Sequence, residues 1–426
     1  MKDKINSNTK AVKKKLIVIG GGAAGFFCAI NAATLHPHMN IVILEKSSKL
    51  LAKVRISGGG RCNVTHACFS IDEMMKKYPR GGQFVRKAFH QFFTTDTIKW
   101  FEDRGVKIKK EPDGRMFPVS DSSQSIIDTL MKEVNQHSIE IMMNAEVKSF
   151  SKKEDRFLLK ISGEREMETE YLCIASGGYP KAQMFDWLSE SGHSFEEPVP
   201  SLFTFNMPGN EIVKLMGVSV PDVQVKINGT KLMERGPVLI THWGMSGPAI
   251  IRLSAWGARD LAKCNWHFTS LVNWLPDFSE NSLREKFQQY RFSLATQKIV
   301  NKNPFGLPQR LWEYFIDEAG IKSDIQWANL PAKNQNLLIK QLVSGEFQVK
   351  GKTTFKEEFV TAGGVKLVEV DPNTMMSKKI ENLYFAGEVL NVDGITGGFN
   401  FQHAWTSGFI AAKSIAQKAT EVSEML

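Results

Sequence analysis

LIVIGGGAAG, residues 16–25, is the stretch whose reading decides the fold. Leu16–Ile19 is a short β-branched and apolar run, the pattern of a parallel strand covered on both faces. Gly20, Gly22 and Gly25 then match G-x-G-x-x-G, and Ala23–Leu35 continues as an Ala-rich helix. In such a turn the first glycine permits the tight bend and the second lets backbone approach a pyrophosphate. The third lets helix and strand pack closely. The N–H groups at the helix start, those of Ala23 and Ala24 among them, favour a negative charge. A second apolar run, Asn40–Leu44, ends in Glu45 with Lys46 beside it. That is the roughly 20-residue spacing at which an acid meets the ribose hydroxyls and repels a 2′-phosphate. The turn therefore predicts a bound dinucleotide, with NAD and FAD both open.

The far end of the chain narrows the choice. NLYFAGEVLNVDGITGG, residues 382–398, follows the start of an apolar run, Ile380–Ala386, and precedes a helix-like segment, Phe399–Ala416, with Ala404, Gly408 and Ala412 spaced along it. Gly387, Glu388, Asp393, Gly397 and Gly398 make this a glycine- and acid-rich strand–turn–helix. Glu388 is placed to accept from ribityl hydroxyls. The backbone N–H groups of Gly398, Phe399, Asn400 and Phe401 suit the N1/C2 edge of isoalloxazine, because reduced flavin is anionic there and a helix N-terminus favours negative charge. The two ends are expected to close on one FAD. A pure NAD dehydrogenase would not need the second segment. No second G-x-G-x-x-G follows, so NAD(P)H would dock transiently on the flavin face as electron donor.

Between them lies ISGGGRCNVTHA. Gly58, Gly59 and Gly60 in succession weaken any helix or strand, which makes sense where backbone lies flat on a ligand. Arg55 and Arg61 suit a phosphate or another anion, and Asn63 offers both donor and acceptor. Cys62, beside arginine, reads in two ways: as a thiol of lowered pKa serving as proton donor or nucleophile, or, with at least equal weight, as a small packing residue beside glycines. His403, in FNFQHAW, and His242, in THWGMSG, follow it as candidate acids.

Taken together, IGGGAAG, ISGGGRCNVT, THWGMSGPAI, FVTAGGV and AGEVLNVDGITGGFNFQHAW resemble the two-dinucleotide-binding flavoproteins. Within that superfamily they resemble a bacterial family of NAD(P)/FAD-dependent oxidoreductases with aminoacetone-oxidase-like and bile-acid-reductase-like members. The likeness spans residues 16 to about 412. It implies an α/β fold: a Rossmann-like FAD-binding domain with an inserted β-barrel-like and helical domain. The expected division is 1–194 and 346–426 for the FAD domain and 195–345 for the insertion. Val147, Ser176 and Gly177 join the cofactor residues on the same ground. The resemblance also implies a flavoenzyme reducing uridine to dihydrouridine in large-subunit ribosomal RNA.

Composition bounds the rest. The 426 residues carry a net charge of +9, which favours anionic partners such as nucleic acid. Cys28, Cys62, Cys68, Cys173 and Cys264 are odd in number and scattered, as in a reducing cytoplasm. The basic leader MKDKINSNTKAVKKK precedes an apolar run too short for a signal-peptide core, and no run approaches membrane-spanning length. No metal-ligand cluster stands out. Lys76, Lys77, Arg80, Arg86, Lys87, Lys107, Lys109 and Lys110 alternate with Phe84, Phe89, Phe92, Phe93 and Trp100. Such interleaving could contact RNA phosphates and bases, but at helical spacing it reads first as an aromatic core under a wet basic face. Three functions stay in view: reduction of uracil in ribosomal RNA, oxidation or reduction of a small amine or of an enoyl or steroid-like compound, and a non-catalytic RNA-binding protein stabilised by flavin. Oligomeric state is not legible.

Overall fold

The computed structural model describes residues 14–353 and 360–424, with side chains as far as Glu421. The basic leader and Phe359 of FVTAGGV lie outside the described residues. The chain forms two compact units, Met1–Pro198 with Val360–Leu426 and Val199–Phe359. The second boundary thus falls later than the 345/346 expected from sequence. The reason is pairing: Gly345–Lys350 runs antiparallel to His267–Asn273, inside the second unit.

The first unit is built on five parallel strands: β1 (Lys15–Ile19), β2 (Asn40–Leu44), β3 (Glu140–Met142), β4 (Tyr171–Ile174) and β5 (Leu383–Phe385). Their order is β5-β4-β1-β2-β3, the doubly wound arrangement in which the order reverses between β1 and β4. β1, β2 and β4 are almost wholly buried, which is why they read as continuous apolar runs rather than alternating ones. Helix α1 (Ala23–Leu35) is apolar on nearly every face, with Ala24–Ala33 buried throughout. A helix of that kind needs cover on two sides. The sheet supplies one side. The long C-terminal helix, Phe399–Glu424, supplies the other. A Cβ on Gly408 would stand 2.7 Å from the Ala24 carbonyl oxygen, so only glycine allows the two helices to approach this closely. Val147–Lys153, Arg156–Ile161 and Arg165–Thr169 form a small antiparallel sheet before β4.

The second unit holds one seven-stranded sheet. Its main ladder joins Gly345–Lys350, His267–Asn273, Ser219–Ile227 and Met233–Thr241, all antiparallel. Thr204–Asn206, distant from Gly345–Lys350 in strand order, still lies in contact with it, so the sheet curls in the barrel-like manner expected. Helices Glu280–Ser293, Gln309–Glu318 and Ala332–Ser344 bury Leu283, Phe287, Trp312, Phe315 and Leu338 in the same core as Val223, Val225 and Val272. No helix among the described residues is long and apolar enough to cross a membrane.

Candidate cofactor and active site

The opening turn sits at the reversal point between β1 and β4. Gly20 has φ +117°, and a Cβ there would lie 2.3 Å from the carbonyl oxygen of Ala175. A Cβ on Gly25 would lie 2.0 Å from the Gly20 oxygen, so the third glycine is required by helix–strand contact. Gly22 differs: a Cβ there would meet nothing within 4 Å. Its freedom is toward open space above the start of α1, where an anion meets unpaired N–H groups. Ala23 and Ala24 form the first turn of that helix.

Glu45, at the end of β2, is fixed by three donors: Gly21 N–H at 2.8 Å, Ser47 N–H at 2.9 Å and Ser47 Oγ at 2.8 Å. A carboxylate has about four lone-pair sites, so it retains capacity for a ribose hydroxyl. A cavity of about 260 Å³ opens beside it, lined by Gly20, Glu45, Lys46, Val147, Ser176 and Tyr179 among others. Five sequence candidates, Gly20, Glu45, Lys46, Val147 and Ser176, therefore share one chamber. Gly177 follows Ser176 with φ +77° and open space at its Cα.

The GGGRCN segment ends helix α2 (Ala52–Gly60), where Gly58, Gly59 and Gly60 have φ of +59°, +70° and +85°. A Cβ on Gly59 or Gly60 would meet nothing within 4 Å. The arginines do not stand free for an anion, which corrects the expectation for Arg61. Its guanidinium lies 2.5 Å from Glu111 and 3.6 Å from Asp121, over the Phe117 ring. Arg55 is exposed and donates to Gln124 at 2.9 Å. Asn63 is buried and its Oδ1 accepts from Met116 N–H.

The closing segment docks directly on this loop. A Cβ on Gly398 would fall 2.6 Å from Thr65 backbone and 3.0 Å from Asn63 Oδ1. Trp405 Nε1 donates to the Val64 carbonyl at 2.9 Å, Tyr78 Oη to the Phe399 carbonyl at 2.6 Å, and Thr65 Oγ1 to Gln402 Oε1 at 2.6 Å. His66 Nδ1 lies 3.0 Å from the Gly397 carbonyl, and its ring stacks on Phe399 at 4.6 Å. Lys53 Nζ lies 2.5 Å from Glu388, whose other oxygen accepts from Thr361 N–H at 2.9 Å. Two candidates prove to be internal fasteners. Asp393 is fully buried in a bidentate pair with Arg80. Asn400 closes its own loop through Gly394 N–H and C=O at 2.8 and 2.9 Å. Gly387 touches Ala24 and donates to Ser407 Oγ at 2.8 Å.

The candidate acids separate sharply. Cys62 is fully buried at φ +62°. Burial pushes its thiol up to about 12, opposed only by a hydrogen bond with Ser57, so the lowered pKa expected beside arginine is not found. His403 is also buried, its Nε2 3.3 Å from the Gly387 carbonyl and its Nδ1 without a partner among the described residues. Burial lowers its pKa to about 4, so the ring is neutral near pH 7. His242 belongs to the second unit, exposed and edge-on to Trp243. The aromatics of the basic stretch, Phe84, Phe89, Phe92, Phe93 and Trp100, are core residues rather than base-stacking ones. His66, Tyr78 and Gln402 escaped sequence reading, and Arg80 was read only as part of the basic stretch, because their roles rest on partners more than 300 residues away.

The residues fit FAD. The opening turn leaves room for a pyrophosphate, the adjoining cavity holds a ribose acceptor, and the buried Nδ1 of His403 is the kind of orphan a ligand satisfies. Comparison with known proteins agrees. A model of the HI0933-like protein Rossmann domain matches residues 14–414. A ribosomal RNA dihydrouridine synthase of Escherichia coli is 31% identical over 415 residues, 94% of this chain and 97% of the relative. A 3-dehydro-bile acid Δ(4,6)-reductase of Clostridium scindens is 25% identical over 94% of this chain and 98% of its own. In fold, a flavocytochrome c3 fumarate reductase superposes with TM-score 0.51 at 16% identity, covering 96% of this chain and 79% of that one.

Proposed function

The chain belongs to the HI0933-like Rossmann family and is an FAD-dependent oxidoreductase, and from that premise we propose that it reduces the uracil C=C bond of a uridine in large-subunit ribosomal RNA to dihydrouridine. The observation that carries this reading is the match to the E. coli synthase over 94% of this chain and 97% of the relative. The site's own make-up supports the redox half. When bound, FAD supplies hydride for one alkene carbon while a proton reaches its neighbour.

The chain's residues hold and polarise. N–H groups at Gly22–Ala24 and the α1 dipole would take the pyrophosphate. Glu45 would take ribose hydroxyls in the chamber beside Val147 and Ser176. The N–H groups that open the C-terminal helix, from Gly398 onward, favour negative charge on whatever ring edge faces them. Cys62, buried in the FAD unit, serves this scaffold by packing, and His403 holds a buried Nδ1 toward which a ligand group would turn. Of the three candidate acids His242 alone is exposed.

A second reading keeps the chemistry and changes the substrate. The C. scindens relative also reduces carbon–carbon double bonds by its name, at lower identity. Mass mapping of ribosomal RNA from a deletion strain separates the two. Loss of dihydrouridine at one large-subunit position, restored by a plasmid copy, is expected. An unchanged dihydrouridine map would remove ribosomal RNA as substrate.

A further inference from the structure

The doubly charged pyrophosphate of FAD needs more positive charge than the start of α1 offers, since a helix N-terminus carries only about half an elementary charge. The arginines that the sequence offered for it are engaged elsewhere: Arg61 meets Glu111 and Asp121, and Arg55 donates to Gln124. Lys46 lies over the Tyr179 ring, in the chamber beside Glu45. Lys53 is placed differently. It stands in the first turn of α2, and the residues just before it are seated on the opening turn. Leu51 N–H donates to the Gly21 carbonyl at 2.9 Å, and a Cβ on Gly21 would fall 2.7 Å from Leu50 Cδ2.

The Lys53 ammonium reaches Glu388 of the closing segment, 2.5 Å away. Two further contacts place that carboxylate in the same neighbourhood. A Cβ on Gly387 would lie 2.7 Å from Ala24 Cβ, in the first turn of α1. A Cβ on Gly178 would lie 2.9 Å from Glu388 Oε1 and 2.7 Å from Thr361 Oγ1. The ion pair therefore bridges α2 and the closing segment beside the helix start where Gly22 faces free space. Thr361 is fully buried, yet its hydroxyl has no partner among the described residues. An orphan of that kind next to Glu388 marks a place where a ligand hydroxyl belongs. The Lys53 side chain is 46% exposed, so solvent weakens the pair and it is readily exchanged. A lysine is also a point charge on a flexible stem, able to change partner without moving its backbone.

We propose that Lys53 is the counter-charge of the FAD pyrophosphate. It rests on Glu388 in the free protein and turns to the phosphates when ribityl hydroxyls occupy that carboxylate. The assignment rests on the FAD half of the reading above and not on the substrate.

The test follows flavin released on dilution of the FAD-loaded, full-length protein, read by flavin fluorescence. Loss of a charge-assisted hydrogen bond to phosphate weakens binding by about 10- to 100-fold. That loss is expected for Lys53→Met, with Lys53→Arg keeping most of the parent affinity. The same fold-change is expected when Lys53→Met is added to Glu388→Gln, whereas a lysine that only pins Glu388 would cost nothing further there. If the double variant retains no flavin, ADP serves as the probe, because it carries the pyrophosphate without a ribityl chain. Calorimetric titration of ADP into the flavin-free parent and Lys53→Met proteins should show a similar weakening. Full FAD affinity in Lys53→Met, a loss that vanishes beside Glu388→Gln, or equal ADP binding overturns the assignment while leaving FAD and the ribosomal RNA reading in place. A parent protein that takes up no flavin removes the FAD reading and the role of Lys53 together.

Discussion

The opening turn, Gly20–Gly25, and the closing loop, Asp393–Gly398, belong to the same unit but are held by different physics. The opening turn is fixed by backbone against backbone: Gly20 on Ala175 and Gly25 on Gly20. The closing loop is fixed by side chains reaching in from elsewhere: Arg80 on Asp393, Tyr78 on Phe399, His66 on Gly397, and Asn400 on Gly394. A steric constraint leaves its mark as glycine at fixed spacing. An electrostatic one leaves its mark in residues scattered over the whole chain. The first kind should respond to added volume and the second to lost charge and to pH.

The largest effect is expected at Arg80→Met, which strands a fully buried Asp393. Removing one partner of such a pair costs about 3–5 kcal/mol, read as a fall in Tm of about 10 °C. An unshifted Tm would mean the closing loop is held by something else. Acid should act on the same side. His403 has its pKa lowered from 6.5 to about 4 by burial, so the unfolded chain takes up a proton that the folded chain refuses. Stability from this group is therefore complete above pH 6.5 and is lost as the pH falls toward 4, about 3 kcal/mol in all. His403→Gln should flatten that part of the stability–pH curve, and an identical curve would assign the slope to other groups.

On the opening side, Gly25→Ala forces a Cβ onto backbone and should cost about 1–3 kcal/mol or more. Gly22→Ala should leave the melting of the apoprotein unchanged yet reduce bound flavin, because its Cβ points into free space. Equal damage from both would break the distinction between a packing glycine and a ligand-facing one. The smallest effect concerns Cys62, buried and pushed up to about 12. At neutral pH it should resist alkylation in the native protein while exposed Cys264 reacts. Fast labelling of Cys62 would reveal a loop that opens.

The same contrast explains what was legible in the sequence. The Rossmann strands, the fingerprint and Glu45 could be read because each leaves a local pattern of apolar runs, spaced glycines and a terminal acid, even where the partner is distant, as Ala175 is from Gly20. Gly408 was visible only as a small residue on a helix; its contact with Ala24 needs the fold. Arg61 was misread because its attraction to Glu111 and Asp121 depends on the loops that flank a hairpin strand, Arg115–Pro118, more than fifty residues on. For Cys62 the sequence left reactive and packing readings both open, and burial outweighs any nearby cation. The late domain boundary escaped notice because Gly345–Lys350 alternates like any half-buried strand, and only its pairing shows which unit owns it.

The clasp of the C-terminal helix over α1 also dictates an order of events on the ribosome. While residues 199–359 are being made, α1 has one flank bare and β4 is an unpaired edge, since β5 and its following helix have not yet emerged. The nascent chain must carry that sticky half-domain through some 200 further codons. Its inserted unit, contiguous in sequence, is free to mature first, and the earliest-made residues are finished by the latest.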